Sequence, residues 1–397
     1  MISDRMKDLV NNNSVIRQMF EEGKKLEKIY GKENVFDFSL GNPSVPVPGR
    51  INEIIKEIVD KEDSNVLHGY MSNSGFEDVR EKIANSINNR FDTKFGSKNI
   101  IMTVGAASGL NIVLKSILNQ GEEVIVFAPY FLEYRNYVKN YDGKIVEVLC
   151  NNSDFMPNLE KFEQSINKNT RAIIINSPNN PSGAIYNENI IKEISKILNK
   201  KQEEFGSTIF IISDEPYREL VYDNIEVPYI TKYYNNTFVV YSYSKSLSLP
   251  GERIGYVVVP NEMEDANMVI ETVAIANRVI GCVNAPALMQ KVVGECADLT
   301  TDISKYRENR DVLYDGLKNI GYECVKPQGA FYLFLKSPIE NEKEFCNLAK
   351  KYNILMVPGT SFAYPGYVRI SYCVSSKTIK NSIPKFEELY KEIQNSL

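Results

Sequence analysis

The chain of 397 residues is longer than one hydrophobic core usually sustains, so two domains are expected. Its 43% hydrophobic and 24% charged residues are the make-up of a soluble globular protein, and a net charge of −5 gives no electrostatic footprint for nucleic acid. No apolar run approaches the roughly 20 residues that span a bilayer. The start, Met1-Ile2-Ser3-Asp4-Arg5-Met6, lacks the apolar centre of a signal peptide. Both features point to the cytoplasm, and no membrane or nucleic-acid partner is expected.

From about residue 98 to 260, strand and helix patterns alternate. The run Asn99 to Val104 leads into Gly105-Ala106-Ala107 and an apolar helical pattern from Leu110 to Leu118. Strand-like runs follow at Glu123–Phe127, Lys144–Val148 and Ala172–Asn176, then a helix over Ile190–Phe205. Thr208–Ile212, Thr237–Ser242 and Ile254–Val259 complete the series. Short continuous apolar runs suit strands buried on both faces, which predicts a three-layer α/β/α fold around a mainly parallel mixed sheet. A helix-rich stretch runs from Glu262 to about Leu317. Shorter strands are predicted in Gly329–Phe334, Ile354–Val357 and Tyr367–Ser371, with a closing amphipathic helix from Ser382 to Leu397. The expected division is a large domain over 48–281, and a smaller α+β domain made of 1–47 and 282–397.

Polar residues recur where the predicted strands end, and open α/β sheets bind ligands at that edge. The clearest case is Phe238 to Lys245: a buried strand ends in Ser242, Ser244 and Lys245, and Arg253 arrives in the loop beyond. A single partly desolvated amine beside phosphate-sized donors can form a Schiff base. Gly105-Ala106-Ala107 stands between strand and helix, where free backbone N–H groups and the helix dipole suit a phosphate. Asn180-Pro181-Ser182-Gly183 and Asp214-Glu215-Pro216-Tyr217 each follow a strand. Alone, the first reads as a turn and the second as a helix cap.

In this order and position the motifs resemble the class I aminotransferases, which are fold-type I pyridoxal-phosphate enzymes. The resemblance runs from Leu40-Gly41-Asn42-Pro43 to Tyr367-Val368-Arg369-Ile370-Ser371. It implies an aspartate aminotransferase-like transaminase with pyridoxal 5'-phosphate as cofactor and Lys245 as its Schiff-base lysine. By the same resemblance Ser242, Arg253 and the backbone of Gly105, Ala106 and Ala107 hold the phosphate. Phe131 stacks on the ring where many relatives carry Trp or Tyr, so the stack is smaller. Asp214 pairs with the ring nitrogen, and Asn180 and Tyr217 donate to the phenolate oxygen. Arg369 clamps the substrate carboxylate, with Gly41 and Asn180 lining the same pocket. Tyr70 resembles a tyrosine that reaches a neighbouring copy's phosphate, which implies a homodimer with shared sites.

The implied reaction moves an amino group from an L-amino acid to a 2-oxo acid, 2-oxoglutarate being the expected acceptor, with ping-pong kinetics. Aspartate, alanine and aromatic donors all stay open. Arg17 and Arg278 are candidates for a second carboxylate only because they are basic. A β-lyase or decarboxylase on the same fold is the alternative. Ser242-Tyr243-Ser244-Lys245 also fits S-x-x-K, but the partner strings S-D-N and K-T-G of that acyl-transfer family do not occur. The chain starts directly in the aminotransferase segment, so a fused DNA-binding regulator is not expected. The six cysteines form no C-x-x-C pair and read as buried reduced thiols, and the sole histidine, His68, reads as structural or surface rather than a metal ligand.

Overall fold

The computed structural model of the chain describes residues 2–11 and 15–396. Strand β1 (Phe36–Asp37) is followed by β2 (Ile100–Thr103), β3 (Glu123–Ala128), β4 (Lys144–Leu149) and β5 (Thr170–Asn176). Next come β6 (Phe210–Asp214), β7 (Thr237–Ser242) and β8 (Gly255–Val258). The C-terminal part adds β9 (Tyr332–Lys336), β10 (Ile354–Leu355), β11 (Val357–Pro358) and β12 (Tyr367–Ser371).

Strands β2 to β8 form a seven-stranded sheet in the order β2-β8-β7-β6-β5-β3-β4. Only β8 runs against its neighbours β2 and β7; the other pairs are parallel. The carboxyl ends of the remaining strands therefore share one edge. Ile173, Ile174, Ile211, Ile212, Val239 and Val240 are at most 3% exposed, because helices cover both faces and leave no face for polar residues. The edge strand β4 differs: several of its residues are open to solvent, so its apolar appearance overstated its burial. The sheet and its helices match the expected α/β architecture.

A second core gathers Phe38, Leu333, Leu335, Phe345, Val368 and Ile370 with Ile379, Phe386 and Leu389. Its three-stranded sheet has the order β11-β12-β9, and β1 pairs in parallel with β10 through Phe36 and Ile354. The N-terminal segment is thus tied to the C-terminal part. The run Ile354–Val357, expected as one strand, splits at Met356, because β10 pairs with β1 while β11 pairs with β12. The strand expected from Gly329 begins only at Tyr332. Gly329 and Ala330 instead donate backbone hydrogen bonds to Gly183 O and Leu220 O, which pins them against the large sheet's loops.

The last helix runs Ser376–Ser396, starting earlier than expected and passing through Pro384. Its buried stripe of Ile379, Phe386, Leu389 and Ile393 begins before the proline, whose ring lies on the exposed side. The helix after β2 also starts early, at Gly105. All six cysteines are free; Cys150, Cys296, Cys346 and Cys373 are buried, while Cys282 and Cys324 are partly open, against the uniform burial expected. His68 ends a short helix and is exposed. Among the described residues no helix is long and apolar enough to cross a membrane.

Candidate active site

Sheet register brings the strand-end residues together. Asn176 at the end of β5 lies beside Asp214 at the end of β6, and Ser242 at the end of β7 lies beside Gly255. After β7 the chain turns into the short helix Tyr243–Ser246, where the Ser242 side chain accepts from Ser244 N. Lys245 is thereby aimed at the sheet's carboxyl edge. Its Nζ donates to Gly41 O at 2.7 Å and sits 5.4 Å from the centre of the Phe331 ring. Burial pulls the amine's pKa down to about 8; the Cys373 thiol opposes this, and Arg253 and Arg369 reinforce it.

Asp214 is buried, and not at a helix cap. Its Oδ2 accepts from the Tyr134 hydroxyl at 2.5 Å, while its Oδ1 has no partner among the described residues. Burial raises its pKa to about 7, although the Tyr134 hydrogen bond works against the rise and Glu215 adds to it. Asn176 braces the segment, donating from Nδ2 to Asp214 O at 2.9 Å and accepting from Asn180 N at 2.8 Å.

At the other end of the cavity, the helix Gly105–Ile117 presents its N-terminus. Gly105 has φ of 75°, and a Cβ there would lie 2.9 Å from Nη2 of Arg253, so only glycine leaves the guanidinium its place. Arg253 is exposed, and its Nη1 donates to Pro250 O at 3.0 Å. Ser242 Oγ donates to Ser244 Oγ at 2.8 Å.

The third corner is Arg369 on β12, 2% exposed. Nη1 donates to Asn180 Oδ1 at 3.0 Å and Nη2 to Ser39 O at 2.5 Å, and Nε has no partner among the described residues. The guanidinium lies over the rings of Tyr332 and Phe362, at 4.5 Å and 4.8 Å. Burial lowers its pKa. The hydroxyls of Tyr217 and Tyr332 share a hydrogen bond of 2.9 Å. Gly41 is required by close approach, since a Cβ there would be 2.0 Å from the Tyr332 hydroxyl oxygen.

These groups enclose a cavity of about 280 Å³. Of the residues singled out in the sequence, Gly41, Ala106, Ala107, Asn180, Tyr217 and Ser242 line it, as do Phe131, Asp214, Lys245, Arg253 and Arg369. Gly105 lies behind Arg253 rather than in the wall. Tyr70 is 97% exposed and outside the cavity of its own chain. Arg278 is also exposed and outside it, and the Arg17 side chain falls outside the described residues.

The profile of the family described as Aminotransferase class I and II matches residues 33–386. The chain belongs to that family. An aspartate aminotransferase of Pyrococcus horikoshii is 30% identical over 96% of this chain and 95% of its own. A probable aspartate/prephenate aminotransferase of Aquifex aeolicus is 30% identical over 91% and 92% of the two chains. The crystal structure of an amino transferase from Eubacterium rectale superposes with a TM-score of 0.96, at 49% identity and 99% coverage of both chains.

The chain is accordingly a transaminase of the pyridoxal-phosphate-dependent class I and II aminotransferases. The cavity fits that cofactor on its own chemistry. It offers a buried carboxylate with a free Oδ1, a half-buried amine of lowered pKa, an aromatic face at Phe131, and a guanidinium facing a helix N-terminus.

Five polar lining residues have no role in the site that the resemblance implies: Tyr134, Tyr137, Asn176, Ser244 and Tyr332. Asn176 and Ser244 carried the same mark as the rest, a polar residue at the end of an apolar run. Tyr134, Tyr137 and Tyr332 carried no such mark, since each is one of 24 tyrosines.

Proposed function

We propose that this transaminase carries its cofactor on Lys245 and moves the amino group of an L-amino acid to a 2-oxo acid, with 2-oxoglutarate as acceptor. The carrying observation is the placement in one cavity of the Lys245 amine, with a pKa of about 8, and the Arg369 guanidinium with its free Nε. Bound pyridoxal phosphate supplies a sink for the electron pair left when an amino acid loses its Cα proton. Lys245 Nζ, about half neutral at pH 8, takes that proton and returns it on the far side of the transfer as general base and acid. Arg369 has free N–H donors on Nε and on both Nη atoms, enough to hold an α-carboxylate in two hydrogen bonds and fix the Cα–H toward Lys245.

The other residues orient the reacting groups. Asp214 offers Oδ1 to the ring nitrogen and favours its protonated form. Asn180, with its oxygen committed to Arg369, leaves its amide N–H groups for the phenolate oxygen. Tyr217 can donate there while accepting from Tyr332. Phe131 covers the ring, and Ser242, Arg253 and the N–H groups of Gly105, Ala106 and Ala107 take the phosphate. Tyr70 reaches a phosphate in a second copy, making the working unit a homodimer; its near-complete exposure supports this. The same reading separates a cofactor-holding part over 48–281 from a smaller part formed by 1–47 and 282–397, supported by the β1–β10 pairing. The six free thiols support a cytoplasmic location.

Among the described residues, the cations lining the cavity are Lys245, Arg253 and Arg369. A second carboxylate on the donor therefore needs a cation from beyond them, such as Arg17 or a residue of the second copy. Aspartate is the first donor to try, given the names of the relatives, followed by alanine and aromatic amino acids. The test is steady-state kinetics of the loaded protein with each donor and 2-oxoglutarate. Parallel double-reciprocal lines with a new amino acid as product are expected. Release of ammonia or carbon dioxide without amino-acid product would replace the reading with a β-lyase or a decarboxylase.

A further inference from the structure

We infer that Tyr137 is a further cofactor-binding residue, its hydroxyl donating to the phosphate at the end of the cavity where Arg253 meets the helix Gly105–Ile117. This rests on the reading of the cavity given above and adds to it a donor from a different element.

Between residues 130 and 141 the chain places four tyrosines. Three of their hydroxyls are committed within the protein. Tyr130 donates to Glu147 Oε1 at 2.6 Å, Tyr134 to Asp214 Oδ2 at 2.5 Å and Tyr141 to Asn111 Oδ1 at 3.2 Å. Tyr137 is half-buried and lines the cavity, yet its hydroxyl makes no hydrogen bond among the described residues. A phenol placed in this way is a donor kept for whatever fills the cavity.

The helix face decides which end of the cavity it serves. Tyr137 lies in the helix Glu133–Lys139, about one turn after Tyr134 and one turn before Tyr141. Tyr141 is bonded to Asn111, whose Nδ2 donates in turn to Ala107 O at 2.8 Å. That face is therefore docked on the first turns of the helix Gly105–Ile117, whose Ala106, Ala107 and Leu110 line the same cavity. Tyr137 makes no bond to the free Oδ1 of Asp214, so that carboxylate is not its partner. Burial and the carboxylates of Glu133 and Asp214 raise the phenol's pKa well above its ordinary range, and Arg253 opposes them. The hydroxyl keeps its proton and meets a phosphate as a neutral donor, where a phenolate would repel it.

The donor matters most after the cofactor has taken up the amino group. Its amine form has no covalent bond to Lys245, so noncovalent contacts alone retain it, and the phosphate offers the charge for the strongest of them.

The test compares ligands with and without that phosphate. Cofactor-free wild type, Tyr137→Phe and Tyr137→His are titrated with pyridoxamine phosphate, pyridoxamine and inorganic phosphate. Losing one hydrogen bond to a charged group should weaken both phosphate-bearing ligands about tenfold in Tyr137→Phe and leave pyridoxamine within about twofold. Tyr137→His, which keeps a shorter N–H donor, should recover part of the difference. The amine form should also leave Tyr137→Phe about tenfold faster than wild type. Where Tyr137→Phe does not fold, wild type carrying ¹³Cζ-labelled tyrosine decides: the Tyr137 resonance, assigned by its loss in Tyr137→His, should move on adding inorganic phosphate. Equal weakening of pyridoxamine phosphate and pyridoxamine would make Tyr137 a packing residue and overturn the inference. Unchanged affinities, or an unmoved Tyr137 resonance, would overturn it too. Failure of wild type to take up pyridoxal phosphate would instead overturn the proposed function, with the inorganic-phosphate titration still deciding Tyr137.

Discussion

Asn180 Oδ1 accepts a hydrogen bond from Nη1 of Arg369 at 3.0 Å, joining the loop after β5 to strand β12. The bond fixes which end of the amide faces the guanidinium, and so which end is left to donate into the cavity. It also couples the residue that meets the substrate carboxylate to one that faces the cofactor.

The coupling gives a first expectation. Arg369→Lys replaces a planar fork by a point charge and cannot serve Asn180, Ser39 and a carboxylate together. Losing charge-assisted hydrogen bonds should lower kcat/KM for amino acids by about a hundredfold. Reaction of the loaded protein with an alkylamine, which has no carboxylate, should stay within about twofold of wild type. Equal losses for both amines would remove Arg369 as the clamp.

Lys245 makes the cofactor-free protein less stable than it could be. Its folded pKa of about 8 lies below the ordinary lysine value of 10.5, so between these values the folded state holds fewer protons than the unfolded state. This group's contribution to stability therefore rises with pH across that window and is lowest below about 8. The cost at pH 7 is up to about 3 kcal/mol. Cofactor-free Lys245→Met should melt higher than wild type at pH 7, with the difference shrinking by pH 10, while losing transamination by orders of magnitude. A lower melting temperature at pH 7 would contradict the burial argument.

The same amine sets a pH dependence. Only the neutral form is a nucleophile, so the rate of pyridoxal phosphate uptake by the cofactor-free protein should climb from pH 6 and level off just above 8. Stopped-flow absorbance follows this directly. A rate still climbing steadily through pH 10 would mean an ordinary lysine.

Gly41 and Tyr332 form a steric pair. Gly41→Ala would place a methyl 2.0 Å from the Tyr332 oxygen and 2.8 Å from Cζ, which must break the bond to Tyr217 or shift β9. Overpacking of this kind costs about 1–3 kcal/mol. Adding Tyr332→Phe removes the worst contact and should restore part of the lost stability and cofactor binding, read as a double-mutant cycle. Strict additivity would mean that the glycine matters for another reason.

If active sites are shared, mixing inactive subunits should regenerate activity. Refolding Lys245→Ala together with Tyr70→Ala produces mixed dimers in which one site carries both changes and the other neither. Recovered activity approaching one quarter of wild type is expected for random pairing, half the dimers being mixed with one intact site each. No recovery would confine Tyr70 to its own chain.

The sequence exposed the sheet and the strand-end residues for one physical reason. A parallel sheet covered on both faces forces continuous apolar runs, so Asn176, Asp214 and Ser242–Lys245 stand out as polar interruptions at the functional edge. Side chains approaching from other elements lack that contrast. Tyr134 acts through a hydroxyl at the start of a short helix, and nothing local distinguishes it from Tyr130, whose hydroxyl goes to Glu147. Strand partners were equally hidden: Ile354–Val357 is one apolar run, yet its halves pair with β1 and β12, a choice made by chain segments far away. The start of the last helix was obscured by Pro384, because a buried stripe running past a proline overrides its local penalty.

In the proposed reaction Lys245, Asp214 and Arg369 together run a half-transamination. The most direct measurement mixes loaded protein with a single L-amino acid and no 2-oxo acid, then counts products against active sites. One 2-oxo acid per site is expected, with the absorption of the bound cofactor moving to its amine form and no ammonia or carbon dioxide released. Continuous release of ammonia or carbon dioxide, or the same conversion at normal rate in Lys245→Ala, would rule out this division of roles.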